Sequence, residues 1–217
     1  MTKRGLPHPE HLRLGQILTG VWVQLLHELG GLLNAYPRTG PRAFPAKQLK
    51  VAIEALDAAR RELESAVYEE HPAVADTSDY SPCEEHLAAI VVPEKPHPEP
   101  RNSTMTKPGL PHPEHLRLGQ VLSGVRAQLR REQTALVNAY PKTGPRAFPA
   151  KQLEVAIEAL DAARRELENV VYEEHPAVAA TEDYFPYEEH RAEVVVPEKP
   201  GSSTARVSAF WRGSPRG

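Results

Sequence analysis

Apolar residues recur at helical spacing near the start of the chain. Successive members of the set are three, four or seven positions apart, which places them on one face of a helix. Pro9 suits a first helical turn because its missing N–H would have no partner there. We therefore predict an amphipathic helix from about Pro9 to about Tyr36. Its apolar face is formed by Leu14, Leu18, Val21, Leu25 and Leu32.

A second helix follows after a short connection. Pro37, Gly40 and Pro41 stop the first helix and turn the chain. The next periodic stretch begins near Pro45 and ends at about Glu70. Because the connection is short, we expect the two helices to be antiparallel neighbours in a hairpin. The apolar stripe of the second helix consists of Leu49, Ile53, Leu56, Leu63 and Val67.

Beyond the second helix the signals are short. A helical turn is predicted around Cys83 to Ala88, introduced by a capping box of Ser81 and Glu84. The β-branched run from Ile90 to Val92 follows it. We expect the rest of residues 71–104 to be irregular.

The whole pattern occurs twice. Residues 1–96 align without a gap on residues 105–200, and direct comparison finds 74 identical positions. We interpret the chain as a tandem copy of a small helical protein. Residues 1–96 form repeat 1 and residues 105–200 form repeat 2, with a polar linker at 97–104. Residues 201–217 form a basic tail that we expect to be disordered.

A two-helix hairpin cannot bury a core by itself, because each helix hides only one stripe. We therefore predict an all-α fold in which the two hairpins pack as a pseudo-two-fold four-helix arrangement. Such a chain would be a monomer with internal pseudo-symmetry or a weak homodimer. Two independently folded helical domains are the alternative.

The repeats differ most in the first helix of each hairpin. Ten of the 22 differences lie between positions 17 and 33. Trp22, Leu26 and Leu29 share one strip of that helix, and this strip is cationic or polar in repeat 2. The strip either packs internally or forms a docking face for a partner helix or an apolar ligand, since interfaces are enriched in Trp. Phe210 and Trp211 in the tail are a second candidate docking motif. The replacements in repeat 2 are Arg126, Arg130 and Gln133.

A basic loop precedes the second helix of each hairpin. The N–H groups and the positive dipole end of a helix start favour an anion. The loop is either a solvated turn or an anion-binding site, and its spacing is unlike that of a P-loop. The candidate anion-binding residues are Arg38, Arg42, Lys47, Lys142, Arg146 and Lys151.

Four histidines recur in both repeats next to carboxylates. No HExxH or CxxC spacing accompanies them. We interpret them as surface histidines beside helix ends and predict no metal site; a transition-metal site is the alternative. No nucleophile with a positioned base is visible, so we predict no catalytic residues and no cofactor. The histidines are His8, His11, His71 and His86, with their copies His112, His115, His175 and His190.

Composition narrows the functional classes. The net charge is −3 and the acidic repeats offer no broad basic face, which argues against nucleic-acid binding. No signal peptide or apolar membrane span is visible, so we expect a cytoplasmic protein, and the Arg- and Ala-rich usage indicates a high-GC bacterial gene. We predict a non-enzymatic interaction or scaffold protein that binds a protein partner. A small-molecule or anion-binding protein with pockets between the hairpins is the alternative.

Overall fold

The computed structural model describes residues 5–93 and 109–197. Each repeat contributes two long helices, three 3₁₀ turns and one short strand. The predicted linker, the tail, Phe210 and Trp211 lie outside the described residues. The helices are α1 (His8–Ala35), α2 (Phe44–Glu70), α3 (His112–Ala139) and α4 (Phe148–Glu174), and the strands are β1 (Ala89–Val91) and β2 (Glu193–Val195). The 3₁₀ turns are Pro41–Ala43, Thr77–Asp79, Glu84–His86, Pro145–Ala147, Thr181–Asp183 and Glu188–His190.

Both predicted helices of each hairpin are present, within two residues of the expected ends. The turn between α1 and α2 requires Gly40, whose φ of 83° lies in the region that side chains disfavour. Gly144 does the same in repeat 2, with φ of 85°. The sequence thus encodes the same hairpin turn twice.

The two hairpins pack on each other mainly through α2 and α4, which share the most extensive contact between helices. Small residues allow this close approach: Ala52 and Ala59 on α2, and Ala156 and Ala163 on α4, are fully buried. A single apolar core runs through both repeats. This arrangement confirms the predicted all-α, four-helix fold, and it differs from the alternative of two separately folded domains.

The segment that follows each hairpin, residues 71–93 and 175–197, is called here the return segment. It lies on the first helix of its own repeat at two glycines. A Cβ atom at Gly15 would come within 1.7 Å of the carbonyl oxygen of Asp79, and one at Gly20 within 2.2 Å of that of Ala88. The N–H of Ala88 also donates to the carbonyl of Gln16 at 3.2 Å. The absence of side chains at these two positions therefore lets backbone pack on backbone.

Two details of the return segment differ from expectation. The capping box belongs to the turn Thr77–Asp79, where the side chains of Asp76 and Asp79 make the reciprocal bonds. The later turn, Glu84–His86, has no side-chain cap, so the predicted capping box at Ser81 is wrong. The local sequence is compatible with a capping box at either turn. The burial of Asp79 favours the one at Thr77–Asp79.

The two return segments meet in a short antiparallel ladder. Ile90 is opposite Val194, with Ala89 opposite Val195 and Val91 opposite Glu193. Ile90 and Val194 occupy equivalent positions in the two repeats. The pseudo-two-fold axis therefore passes through this pair, as it does through the contact between α2 and α4.

Ion pairs also join the repeats across the axis. Arg117 of α3 makes a two-pronged contact with Glu28 of α1, at 2.8 and 2.6 Å. Arg13 and Glu132 make the symmetry-related contact at 3.0 and 2.8 Å. Both glutamates are about 3% exposed, so each depends on its arginine partner.

Within the described part of the chain, no helix combines the length and the apolarity that crossing a membrane requires.

Candidate functional site

The antiparallel hairpin brings the start of α1 next to the end of α2. His8 and His11 are three positions apart, so both lie on one face of the first turns of α1. Glu70 is the last residue of α2 and His71 follows it. The hairpin therefore places His8 and His11 beside Glu70 and His71. All four residues are of types that can bind a metal.

Three of these residues form what we call cluster 1: His11, Glu70 and His71. One ligand-type atom from each lies within 4.8 Å of the other two. His11 is fully buried and the other two are half-buried. Cluster 2 consists of the equivalent residues His115, Glu174 and His175 and satisfies the same distance limit.

A tyrosine from the other repeat completes the polar centre of cluster 1. The hydroxyl of Tyr140 donates to Glu70 Oε2 at 3.1 Å and lies 3.3 Å from His11 Nε2. His11 Nε2 is in turn 3.2 Å from Glu70 Oε2. His11 and Glu70 of repeat 1 and Tyr140 of repeat 2 thus form a nearly equilateral triangle of polar atoms.

Cluster 2 repeats this triangle closely. Tyr36 Oη lies 3.0 Å from Glu174 Oε2 and 3.3 Å from His115 Nε2, and the third side is 3.1 Å. The two sites are therefore equivalent, and each is incomplete without the opposite repeat.

Outer partners fix the orientation of each ligand-type side chain. Arg146 of repeat 2 donates to Glu70 Oε1 at 2.7 Å, which leaves Oε2 directed at the triangle. His71 Nε2 lies 2.8 Å from the carbonyl oxygen of Leu6. A carbonyl only accepts, so this nitrogen donates, and Nδ1 is the ring atom left to face a metal.

The hydrogen bonds of His11 define its tautomer. Nε2 donates to the Glu70 carboxylate, and Nδ1 accepts from the hydroxyl of Tyr80 at 2.6 Å. Burial lowers the pKa of His11 below its ordinary value of 6.5, although the bond to Glu70 opposes this. The imidazole is therefore neutral at pH 7, the form in which histidine binds a metal.

The tyrosine hydroxyls are also protonated. Burial, with the nearby Glu70 carboxylate as the next cause, raises the pKa of Tyr140. The pKa of Tyr36 is raised in the same way by burial and by Glu174. Each carboxylate therefore accepts from a neutral tyrosine hydroxyl on one oxygen and from an arginine on the other. The described residues contain no buried side-chain nitrogen or oxygen without a partner.

The interpretation of the histidines as surface residues is wrong for His11 and His115, which are fully buried. His8 is half-buried, and its Nε2 donates to Asp79 Oδ2 at 3.0 Å. His86 and His190 belong to neither cluster. One signal was present in the sequence: His11 lies three residues before Leu14 and seven before Leu18, so it extends the buried stripe of α1.

The apolar strip of repeat 1 is only partly accessible. Trp22 packs against the core, and the Arg60 guanidinium lies 5.5 Å from its ring centroid. Leu29 is likewise half-buried, whereas Leu26 is 39% exposed. Of the three residues of the strip, Trp22 and Leu29 therefore pack on the core, and Leu26 is accessible to solvent.

The arginines of the basic loops contact carboxylates of the opposite repeat. Arg42 donates to Glu174 Oε1 at 2.9 Å, as Arg146 does to Glu70. Arg38, Lys47, Lys142 and Lys151 are exposed on the surface. The two arginines thus support the clusters, and anion binding at the loops stays a prediction.

Comparison with known proteins returns no match: no family model, no curated protein and no solved structure is similar to this chain.

Proposed function

We propose that the protein binds divalent transition-metal ions, one at each of the two clusters. The observation that carries this proposal is the triangle of His11 Nε2, Glu70 Oε2 and Tyr140 Oη beside His71, repeated in cluster 2. Two imidazoles and one carboxylate are a ligand set that zinc and related ions prefer.

The spacing of the polar atoms suits such an ion. Ligands about 2.1 Å from a tetrahedral zinc ion are separated from each other by about 3.4 Å. The three sides of the triangle in cluster 1 are 3.1, 3.2 and 3.3 Å. A ligand-type atom of His71 lies within 4.8 Å of those of His11 and Glu70, so His71 would supply a further ligand by moving toward the triangle.

The surrounding groups support the same role. A ligating histidine usually donates its other ring N–H to a carbonyl or carboxylate, as His71 does to Leu6. His11 needs only a tautomer change, with Nε2 on the metal and Nδ1–H donating to Tyr80. Arg146 fixes Glu70 through the oxygen that faces away from the triangle.

An ion at either cluster would connect the two repeats, because Tyr140 and Arg146 come from repeat 2 while the histidines of cluster 1 come from repeat 1. Tyr140 completes a closed site of four protein ligands, as in structural zinc sites, only when the metal displaces the proton of its hydroxyl. The proposed protein is accordingly a non-enzymatic metal-binding protein.

Zinc titration of the metal-free chain tests this proposal. Protein treated with a chelator and returned to chelator-free buffer should bind two equivalents of zinc in calorimetry, and native mass spectra should show two added ions. At a zinc concentration about 100 times the dissociation constant, we expect the free energy of unfolding to rise by about 2.7 kcal/mol for each site.

Matched histidine variants provide the control. His71→Ala together with His175→Ala should abolish tight zinc binding, and Glu70→Gln with Glu174→Gln should weaken it without changing side-chain size. His86→Ala with His190→Ala removes as many histidines outside the clusters and should still bind two ions. Equal zinc binding by all three variants would rule out the clusters as the site.

Protein binding through the apolar strip is a second proposal. It is supported by the exposure of Leu26 and of its neighbour Val23, which is 43% exposed on α1. Trp22→Arg with Leu26→Arg copies the residues of repeat 2 and should abolish co-purification of a protein partner without loss of helical circular dichroism. A partner that is retained by this variant would exclude the strip.

A further inference from the structure

Repeat 2 contains an open pocket of about 370 Å³, which we call the cationic pocket. It lies where α3, α4 and the return segment meet. Four arginines and one aspartate line it, so its lining side chains carry a charge of +3. The lining residues are Arg126, Asp161, Arg164, Arg165, Phe185, Pro186 and Arg191.

Repeat 1 lacks this charge at the equivalent place. Trp22 stands where repeat 2 has Arg126, and Leu87 stands where it has Arg191. Asp57, Arg60 and Arg61 are retained, which leaves a charge of +1 at that place. The cationic pocket is therefore specific to repeat 2.

In both repeats the buried arginine donates to an equivalent carbonyl, that of Tyr80 or Tyr184, but the aromatic ring beside it differs. In repeat 1 the Arg60 guanidinium packs on Trp22 of α1. In repeat 2 the Arg164 guanidinium lies 4.4 Å from the ring centroid of Phe185, a residue of the return segment. Repeat 1 has Ser81 at the position of Phe185. The stacking aromatic ring has thus moved from the helix to the return segment, and this exchange makes room for a cation at position 126.

The exchange also changes which arginines pair with the aspartate of α2 or α4. In repeat 1, Asp57 Oδ2 pairs with Arg61, and Asp57 Oδ1 lies 4.0 Å from Arg60 Nη1. In repeat 2, Asp161 Oδ1 accepts from Arg126 and from Arg164. Arg165, the equivalent of Arg61, is left with a bond from its Nε to a backbone carbonyl.

Three of the guanidinium groups are held by Nε and keep their outer nitrogens free. Arg126 bonds Asp161 through Nε, Arg165 bonds the Asp161 carbonyl at 3.1 Å, and Arg191 bonds the Pro186 carbonyl at 3.3 Å. Their Nη atoms have no hydrogen-bond partner among residues 5–93 and 109–197. Forked donors fixed at one edge are the arrangement in which arginine binds phosphate oxygens.

Like charges are crowded in the pocket. Burial lowers the pKa of Arg164 to about 10, and Arg126 and Arg191 contribute to the lowering by repulsion, while Asp161 opposes the effect. A bound anion would relieve this repulsion. The volume falls within the range typical of small-molecule sites.

We propose that the cationic pocket of repeat 2 binds a small molecule with phosphate groups that carry at least two negative charges. Arg126, Arg165 and Arg191 supply the donors, and Phe185 with Arg164 forms the wall. Repeat 1 has no such site among its described residues. The proposal is independent of the metal clusters.

Calorimetric titration with inorganic pyrophosphate tests it on the full chain, treated with a chelator and held at constant ionic strength. We expect one pyrophosphate per chain. A parallel titration with ADP distinguishes the source: tighter binding of ADP assigns the site to a nucleotide, and equal binding assigns it to the phosphate groups alone. No binding of either anion at millimolar concentration would overturn the proposal.

The repeat 1 sequence supplies the matched variant. Arg126→Trp, Phe185→Ser and Arg191→Leu together restore the side chains that repeat 1 already accommodates, so folding should be preserved. We expect pyrophosphate affinity to fall at least about tenfold for each cation removed. Unchanged affinity would overturn the proposal and would direct attention to the basic loops, which exist in both repeats.

The reverse exchange tests sufficiency. Trp22→Arg, Ser81→Phe and Leu87→Arg should create a second site and raise the stoichiometry from one pyrophosphate to two. His71→Ala with His175→Ala should leave pyrophosphate binding unchanged, which separates this site from the metal clusters. A pyrophosphate signal that is lost in this last variant would show that the anion binds at the clusters instead.

Discussion

The two repeats agree at the histidine clusters and disagree at the pocket beside Trp22 and Arg126. Every side chain of cluster 1, including the tyrosine supplied across the axis, has an identical counterpart in cluster 2. At the pocket, by contrast, three positions change together, so that one repeat presents an indole and the other presents guanidinium groups. The metal-ligating side chains are therefore common to both repeats, whereas the cationic pocket is a feature of repeat 2 alone.

The strongest test of equivalence concerns the glycines under the return segments. Gly15→Ala and Gly119→Ala each place a Cβ atom 1.7 Å from a backbone carbonyl oxygen, so the return segment must shift. We expect each change to lower the free energy of unfolding by roughly 3 kcal/mol. Urea unfolding followed by circular dichroism measures it. Tolerance of either change would mean that its return segment does not lie on the helix.

A smaller effect is expected at the ion pairs across the axis. Arg117→Met leaves the buried Glu28 without its arginine, although Gln24 still donates to that carboxylate. Breaking a buried pair costs about 3–5 kcal/mol, and partial exposure of Arg117 reduces our expectation to about 2 kcal/mol.

Arg13→Met is the symmetry-related change, because it removes the partner of Glu132. Its cost in urea unfolding should equal that of Arg117→Met within about 0.5 kcal/mol. A large inequality would show that the two halves of the interface are not equivalent.

The smallest predicted effect is a gain. Gly31 is exposed near the end of α1, a Cβ atom added there would meet nothing within 4 Å, and repeat 2 has Ala135 at the equivalent position. Gly31→Ala should raise the free energy of unfolding by about 0.8 kcal/mol, because glycine is a poor helix former. Thermal unfolding measures the gain; a loss would mean that this end of α1 needs glycine.

Much of the fold follows from periodicity and from duplication. The stripes on Leu14 to Leu32 and on Leu49 to Val67 identify the helices, and the wet outer faces of a lone hairpin imply that two hairpins pair. These are local or nearly local signals. They do not reveal which face of α2 meets α4, because alanines mark that face only weakly.

The clusters were harder to foresee because their members are distant in sequence. His11 meets Tyr80 and Tyr140, which lie 69 and 129 positions away. No short sequence motif predicts contacts between residues so far apart. A histidine beside a helix end is ordinarily expected on the surface. The position of His11 on the stripe of α1 was the one available signal.

The pairing of Ile90 with Val194 has a consequence for assembly. A contact between equivalent positions is self-complementary, so repeat 1 would make the same contact with repeat 2 of its own chain or of a different chain. Covalent connection favours the intramolecular partner only through its high effective concentration. An exchange of halves between two chains would therefore keep every contact between the repeats described above, and the closed monomer and the exchanged dimer would differ only in which chain each half belongs to.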